Sequence, residues 1–366
     1  MKAISNPSIA GASSALRQGL EVCGKATHEL DLGESGRLLV LPYGARVLGL
    51  FPAGGGGNFF WTNPLLNDST RAAEVFQKAW HNTGGDRTWI APELEVFFTD
   101  YPVSKTHVEP AALDASEYAI KRTGKGLRLR KSMTLFLYRS RREVSLTLNK
   151  TLHAAGNPLR GLPEFSKSLG LLEFAGYSQC TTLEFDSQSA ELDIWNLIQL
   201  PHGGEFLVAT YHQAAPFVFF GQIPPDKMRA DEKLVRYSAD CEGEHKIGIC
   251  PEACAGRIGY LYRQGGCWSL VIRNFHVNPG GNYRDVPQQK DGGAGFAVEL
   301  VNVNSALGSF AELEYHSTAS DPAEEAQGCR DVSQVWAFRG QESTIELAAR
   351  LLLGAHPVRR TENHED

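Results

Sequence analysis

Short runs of alternating apolar and polar residues, repeated along most of the chain, constrain its fold more than any other feature. Such period-two runs, rich in Val, Thr, Phe, Tyr and Leu and broken by Gly, Pro and Asn, are typical of half-buried β-strands. Because single strands and turns follow one another along the chain, the pattern indicates a large antiparallel β architecture. The clearest runs span residues 36–51, 131–153, 180–200, 204–213, 268–277 and 294–304.

Helical signals are few. The segment DSTRAAEVFQKAW (68–80) starts with the capping residue Asp68 and has an apolar stripe that predicts a helix. ESTIELAARLLLG (342–354) has the pattern of a terminal helix ended by Gly354. DPAEEAQ (321–327) predicts a short helical turn, because Pro follows a capping Asp.

No internal repeat or low-complexity linker divides the chain. We therefore expect a single domain over residues 1–366, with a core of about 36–340. A loosely packed segment precedes this core, and the polar tail at 355–366 is expected to be flexible.

Charge and hydropathy exclude several partner classes. The formal net charge is -6, and no basic block is present that would bind nucleic acid or a membrane surface. The N-terminus lacks the continuous apolar run of a secretory signal, and no window approaches the roughly 20 apolar residues of a membrane-spanning helix. We expect a soluble, cytoplasmic protein.

Ligand-type residues do not form a familiar metal motif. The seven Cys residues are scattered, which does not fit a disulfide framework. CEGEHKIGICPEAC (241–254) contains Cys and His, which are common zinc ligands, but it lacks a CxxC knuckle. Four distant histidines would bind a metal if the fold made them converge: His81, His202, His276 and His316. Buried free thiols are the favoured interpretation, and we expect no metal and no cofactor.

Four stretches combine aromatic side chains with amide, imidazole or carboxylate groups near Gly or Pro. An aromatic face packs on the apolar CH face of a pyranose, and the polar groups bind its hydroxyls at the edges. The sequence therefore predicts a small sugar or oligosaccharide as the ligand. The stretches are 58–66 with 81–95, 192–210, 272–285 and 308–320.

The segment FAELEYHS (310–317) is the strongest candidate for proton chemistry. In a strand, Glu312, Glu314 and His316 fall on one side. Two carboxylates and an imidazole on one face repel or share protons, which raises a carboxyl pKa towards neutrality and produces a usable general base. A solvated strand face shows the same alternation, so both interpretations stay open.

The order of these stretches resembles the galactose mutarotase-like (aldose 1-epimerase-like) superfamily, in particular a bacterial branch with a GGDRxWxAPE motif. The resemblance covers roughly residues 36–320 and implies an all-β fold, a β-supersandwich of two large antiparallel sheets with a few short helices. It also implies a sugar site in a cleft on one concave face. The matching motifs are NFFWTNP (58–64), GGDRTWIAPE (84–93), WNLIQLPHGG (195–204) and ELE (312–314).

The resemblance also implies site residues. In mutarotases a late Glu removes the anomeric hydroxyl proton and a mid-chain His protonates the ring oxygen. Glu314 matches the base, with Glu312 as the alternative, and His202 is a candidate acid, although the HPYF motif of the family is missing around His153. The candidate substrate-binding residues are Arg87, Asp86, His81, Trp195, His276 and His316.

An aldose 1-epimerase-like isomerase acting on sugar anomers is the expected function. The missing HPYF motif keeps open a non-catalytic carbohydrate-binding protein on the same fold. A lyase or hydrolase of a modified saccharide is the third alternative. The Asp86–Arg87 pair either holds the ligand or staples a loop, and Trp89 is expected to face the core.

Overall fold

A computed structural model describes the protein over residues 10–163, 172–185, 190–319 and 328–354. The helical turn predicted at 321–327 and the flexible tail predicted at 355–366 lie outside these ranges. Within them, the helices are α1 (Ala10–Val22), α2 (Glu93–Val96) and α3 (Glu342–Leu353).

Strands make up most of the regular structure. In chain order they are β1 (His28–Asp31), β2 (Arg37–Leu41), β3 (Arg46–Phe51), β4 (Asp86–Ala91), β5 (Ala119–Thr123), β6 (Gly126–Leu137), β7 (Arg142–Ala154), β8 (Glu173–Phe185), β9 (Asp193–Pro201), β10 (Gly204–Thr210), β11 (Phe217–Phe220), β12 (Met228–Ala230), β13 (Leu234–Ala239), β14 (Gly243–Ile249), β15 (Cys254–Gln264), β16 (Cys267–Phe275), β17 (Val298–Ser305), β18 (Gly308–His316) and β19 (Gly328–Gly340).

These strands form two large antiparallel sheets, as the sequence predicts. In the described ranges the first, here called the front sheet, has the order β1-β2-β3-β4-β9-β18-β17-β14-β11. The second, the back sheet, has the order β12-β13-β10-β15-β16-β19-β8-β7-β6-β5. Each of the predicted period-two runs lies on one or two of these strands. The β-sandwich class with few short helices is therefore confirmed.

Strand alternation divides the front sheet into two faces. Asp86, Thr88 and Ile90 of β4 point towards the back sheet, whereas Arg87 and Trp89 point to the opposite, outer face. Fully buried aliphatic side chains fill the space between the sheets, and each contributes about 1.5–3 kcal/mol relative to exposure. The same alternation in β9 and β18 decides which polar side chains reach the outer face.

A buried ion pair links the two sheets. Arg273 Nη1 of β16 donates to Asp86 Oδ2 at 2.6 Å, Lys150 Nζ of β7 lies 3.8 Å from Asp86 Oδ1, and Tyr177 of β8 donates its hydroxyl to the same carboxylate. All four side chains are buried. Burial alone would raise the pKa of Asp86, but the charges of Arg273 and Lys150 outweigh it and lower that pKa.

Two of the predicted helices, at 68–80 and 342–354, lie within the described residues. The C-terminal prediction is confirmed, since α3 ends where Gly354 adopts φ +69°. The prediction at 68–80 is wrong in type, because only a 3-10 segment forms, at Ala72–Gln77. The Asp68 side chain instead accepts from the amide and hydroxyl of Thr70, which closes a local turn.

The N-terminal segment is better packed than the sequence indicates. Helix α1 buries Leu16 and Leu20 against Leu66 and Ala72 of the 3-10 segments. The short stripe of Leu residues among Ala and Ser is enough to pack the helix in place, because the 3-10 segments supply the opposing apolar surface. Among the described helices, none is long and apolar enough to cross a membrane.

The buried ion pair between Asp86 and Arg273 predicts a large loss of stability when Asp86 is mutated. We expect Asp86→Asn to lower the free energy of unfolding by about 3–5 kcal/mol, because Arg273 and Lys150 would remain as uncompensated buried charges. Urea denaturation measures this loss. The exposed Asp226→Asn variant is the control and should change stability by less than about 0.5 kcal/mol. A loss below about 1 kcal/mol for Asp86→Asn would contradict the buried-charge account.

Candidate functional site

Three of the sequence motifs meet through a closed set of backbone hydrogen bonds. Trp61 N donates to Gln199 O at 2.9 Å, Gly85 N to Trp61 O at 2.9 Å, and Gln199 N to Gly85 O at 3.0 Å. Gly84 and Gly85 both have positive φ, and a Cβ on Gly85 would lie 2.4 Å from Val47 O. The glycine pair is therefore required for the chain to enter β4 beneath Trp61.

The fourth motif joins them on the outer face of the front sheet. Arg87 Nη2 donates to Glu312 Oε1 at 2.6 Å, and Gln199 Nε2 donates to the same oxygen at 2.8 Å. The Arg87 guanidinium lies over the rings of Trp80 and Trp89, 4.9 and 4.2 Å from their centroids. This arrangement fixes the position of the Glu312 side chain, because one of its oxygens accepts from both a guanidinium and an amide group.

Glu314 lies two residues further along the same face and is more deeply buried. It accepts from Trp195 Nε1 at 3.2 Å and lies 3.4 Å from Lys246 Nζ. Burial raises the pKa of Glu314 to about 8, since the opposing attraction of Lys246 is offset by the neighbouring carboxylates of Glu312 and Glu299. Glu314 therefore holds a proton at neutral pH.

Glu299 of β17 stands directly opposite Glu314 but has the reverse titration behaviour. Its carboxylate lies 2.5 Å from Lys246 Nζ and 3.6 Å from His316 Nε2. Burial would raise the pKa of Glu299, but these two cations lower it to about 2. Of the two adjacent buried carboxyl groups near Lys246 of β14, Glu299 is thus ionised and Glu314 is protonated.

His316 forms the inner end of the site. Its Nδ1 lies 3.0 Å from Asp193 Oδ1, and its ring stacks on Trp195 with centroids 5.5 Å apart. The side chain is fully buried, which lowers its pKa, yet Glu299 and Asp193 raise that pKa well above the usual value. Asp285 completes this corner, and burial followed by the charge of Glu299 raises its pKa as well.

His107 lies at the solvent-facing edge. Its Nε2 is 3.2 Å from Glu93 Oε1 and its Nδ1 is 3.6 Å from Glu109 Oε1, while the ring stacks on Phe97. Partial burial lowers the pKa of His107, but the two carboxylates outweigh it and raise the pKa to about 9. Glu93 also lies 3.8 Å from Lys246, so it connects this edge with the buried groups.

The structure brings together five of the residues predicted for the site. They share the outer face of β4, β9 and β18, and Glu312 keeps more of its side chain exposed than Glu314, 11% against 2%. The solvated-face interpretation of FAELEYHS does not fit, because its polar side chains are buried. The five residues are Arg87, Trp195, Glu312, Glu314 and His316.

Four other candidates lie elsewhere. Asp86 points between the sheets, as described above. His202 occupies the turn where the chain crosses from the front to the back sheet, with Nε2 3.1 Å from Asn302 Oδ1. His81 stacks on Tyr43 and contacts its hydroxyl at 2.7 Å, and His276 is exposed after β16. Their predicted roles in sugar binding or catalysis gain no support from these positions.

Several site residues were missed in the sequence. Lys246 and Glu299 are single charges inside apolar strand runs, HKIGI and AVELV. A buried charge must be paired, so such an isolated charge was a usable signal. Gln199 was visible only as part of a motif, and the loop residues His107 and Asp285 gave no comparable pattern.

The Cys and His residues between 241 and 254, considered as zinc ligands, form no close ligand group among the described residues. In the described ranges the cysteines are free, and the one close group of three or more His, Cys, Asp or Glu ligand atoms is Asp285, Glu299 and His316. Burial raises the pKa of Cys254, in keeping with an inert thiol. The four histidines considered as a metal set are likewise spread over separate regions.

A family model described as a family of unknown function, DUF6786, matches residues 25–359. No curated protein matches the chain. Among solved structures, a galactose mutarotase related enzyme from Lactobacillus acidophilus is similar with a TM-score of 0.46 and 8% identity, covering 85% of this chain and 97% of that one.

Two further structures show comparable likeness. A GalM/aldose epimerase homologue from C. elegans has a TM-score of 0.43 and 9% identity, covering 87% of this chain and 100% of its own. A galactose 1-epimerase from Lactobacillus acidophilus NCFM has a TM-score of 0.42 and 9% identity, with the same coverage of 87% and 100%. TM-scores below 0.5 decide neither fold nor function for this chain.

The position of His107 predicts a pH-dependent contribution to stability. Its pKa is raised from 6.5 to about 9, so the ion pairs with Glu93 and Glu109 stabilise the fold fully below about pH 6.5 and lose their effect as the pH rises through 9. We expect His107→Gln to cost roughly 1–2 kcal/mol near pH 6 and much less near pH 10, after allowance for solvent screening.

Urea denaturation of both proteins across this pH range measures the difference. The exposed His276→Gln variant is the control and should show no such trend. A cost for His107→Gln that stays constant with pH would show that the imidazolium charge does not contribute.

Proposed function

The chain belongs to the family of unknown function DUF6786, and we propose from its outer-face site that it binds a sugar and interconverts the anomers of an aldose. One observation carries this proposal: the carboxylate of Glu312 is held by Arg87 and Gln199 on the same face as a second carboxyl group, Glu314. The motif resemblance of the sequence supports the same function.

The surroundings of Glu312 suit a polyhydroxylated ring. Trp61 and Trp80 are only partly buried and pack beside this corner, where Trp61 contacts Phe310 and Trp80 contacts Arg87. Indole faces bind the CH face of a pyranose, and a guanidinium donates to two hydroxyl oxygens at once. Solvent also reaches Glu93 and His107 at the nearby edge, where further hydroxyls have partners.

Glu312 is the better candidate for the general base. Anomer interconversion removes the proton of the anomeric hydroxyl, opens the ring, protonates the ring oxygen and lets the aldehyde rotate before it recloses. Glu312 is paired with a guanidinium and is the more exposed of the two carboxyl groups. Glu314 is about 7 Å further along the strand, roughly the width of a sugar ring, and is the second proton-transfer group.

The proposal predicts a catalytic loss at Glu312. We expect Glu312→Gln to lower the rate of anomer interconversion by roughly 10²–10⁴-fold, because the amide cannot accept the hydroxyl proton. Exchange NMR or polarimetry on a panel of aldoses measures this rate. The control is Glu205→Gln, which removes a carboxylate that pairs with Arg236 on the back sheet at 3.0 Å and should leave the rate unchanged.

Two outcomes would contradict an epimerase. Wild-type protein that accelerates interconversion of no aldose would exclude the reaction. An acceleration that Glu312→Gln and Glu314→Gln both retain would show that the carboxyl pair is not the catalytic unit.

A specific observation favours a second function, non-catalytic sugar binding. Glu314 and His316 are fully buried, and His202, the expected acid, lies in the turn between the sheets. Calorimetry that detects sugar binding by a protein without turnover, and loss of that binding in Arg87→Gln, would support this function. A measured catalytic rate would remove it.

A further inference from the structure

Three fully buried ligand-type side chains meet beneath the carboxyl pair of the outer face. Asp285, Glu299 of β17 and His316 of β18 each offer one ligand atom, and these atoms lie within 4.8 Å of one another. We propose that this group, here called the buried triad, is a binding site for one divalent first-row metal ion. The proposal does not depend on the sugar chemistry.

His316 is oriented as metal-binding histidines are. Its Nδ1 pairs with Asp193 Oδ1 at 3.0 Å, which leaves Nε2 directed at Glu299 Oε2, 3.6 Å away. Nε2 is buried and has no hydrogen-bond partner. A carboxylate on the far nitrogen fixes the ring and raises its basicity, the arrangement that supports metal-ligating histidines in general.

Asp285 supplies an independent sign of a missing partner. One of its oxygens accepts from the backbone amide of Glu93, but Oδ2 is buried without a hydrogen-bond partner. Glu299 Oε1 is in the same condition. A buried oxygen without a donor is costly, and a cation shared by the two carboxylates and the imidazole would satisfy all three.

Lys246 is the cation that already faces this group. Its Nζ lies 2.5 Å from Glu299 Oε2, 3.4 Å from Glu314 and 3.8 Å from Glu93, so it has two further carboxyl partners if a metal takes Glu299. Asp193 and Glu299 place their carboxyl groups against the two ring nitrogens of His316, and Asp285 offers a third carboxyl group beside them. The ammonium group of Lys246 repels a metal ion and therefore limits its affinity.

The donor set selects the class of ion. Two carboxylates and one imidazole suit Mn²⁺, Fe²⁺ or Zn²⁺, whereas Ca²⁺ and Mg²⁺ prefer oxygen donors alone. Mn²⁺ is the best probe, because the seven free cysteines compete weakly for it, whereas they would also bind Zn²⁺ and confuse the count of ions.

Titration of the chelator-treated full chain with Mn²⁺ alone, in the absence of sugar, tests the proposal. Calorimetry and EPR should show one ion per chain, and pulsed EPR should show coupling to an imidazole nitrogen. We expect His316→Gln and Glu299→Gln to weaken binding at least about 100-fold, and Asp193→Asn about 10–100-fold through loss of the supporting carboxylate. The exposed His212→Gln variant is the control and should bind as the wild type does.

The Lys246→Met variant is expected to gain affinity for Mn²⁺, and a misfolded protein would not show such a gain. Removal of the ammonium group next to Glu299 should tighten Mn²⁺ binding at least about 10-fold. Failure of both wild type and Lys246→Met to take up one ion would overturn the proposal, as would binding without imidazole coupling. Equal affinity in His316→Gln and His212→Gln would identify an adventitious ion only. Because no sugar is present, these results are separate from those of the epimerase assay.

Discussion

Every charge that this fold buries needs an opposite charge within reach, and strand β4 carries two such charges in succession. Alternation turns Asp86 towards the back sheet and Arg87 towards the outer face. Asp86 finds Arg273, and Arg87 finds Glu312, both at 2.6 Å. The first pair joins the two sheets and the second organises the candidate site, so one strand fixes both the sandwich and its chemistry.

The outer face extends the same rule across neighbouring strands. Lys246 of β14 is shared among carboxyl groups of β17, β18 and α2. Burial raises the pKa of Glu314, whereas the charges of Lys246 and His316 outweigh burial and lower the pKa of Glu299. An ionised and a protonated carboxyl group side by side are the combination that proton-transfer sites use. The proposed metal site lies at the inner end of this row, where buried oxygens and an imidazole nitrogen lack partners.

Motifs that looked separate in the sequence have a common structural origin. The backbone cycle of Trp61, Gly85 and Gln199 joins three of them, and the Gln199 side chain reaches the fourth at Glu312. The main role of GGDRTWIAPE is therefore structural: its glycines allow neighbouring backbone segments to come into close contact. Presenting polar groups is the smaller part of its role. Within β4, Arg87 and Trp89 of that motif project onto the outer face and Asp86 does not, while Glu93 reaches Lys246 after the strand.

Sequence alone determined the strands of the alternating runs, the antiparallel β architecture, the terminal helix and the shared face of Glu312, Glu314 and His316, because side-chain periodicity is a local property of the backbone. It failed at 68–80, where a local turn at Asp68 replaced the predicted helix. Tertiary structure alone decided which distant charges meet. His202 lies in the turn between the sheets. Strand order and loop packing bring four other residues to the site: Lys246, Glu299, Asp285 and His107. These pairings join separate segments of the chain, up to 225 positions apart in the case of Arg87 and Glu312, and no local pattern records them.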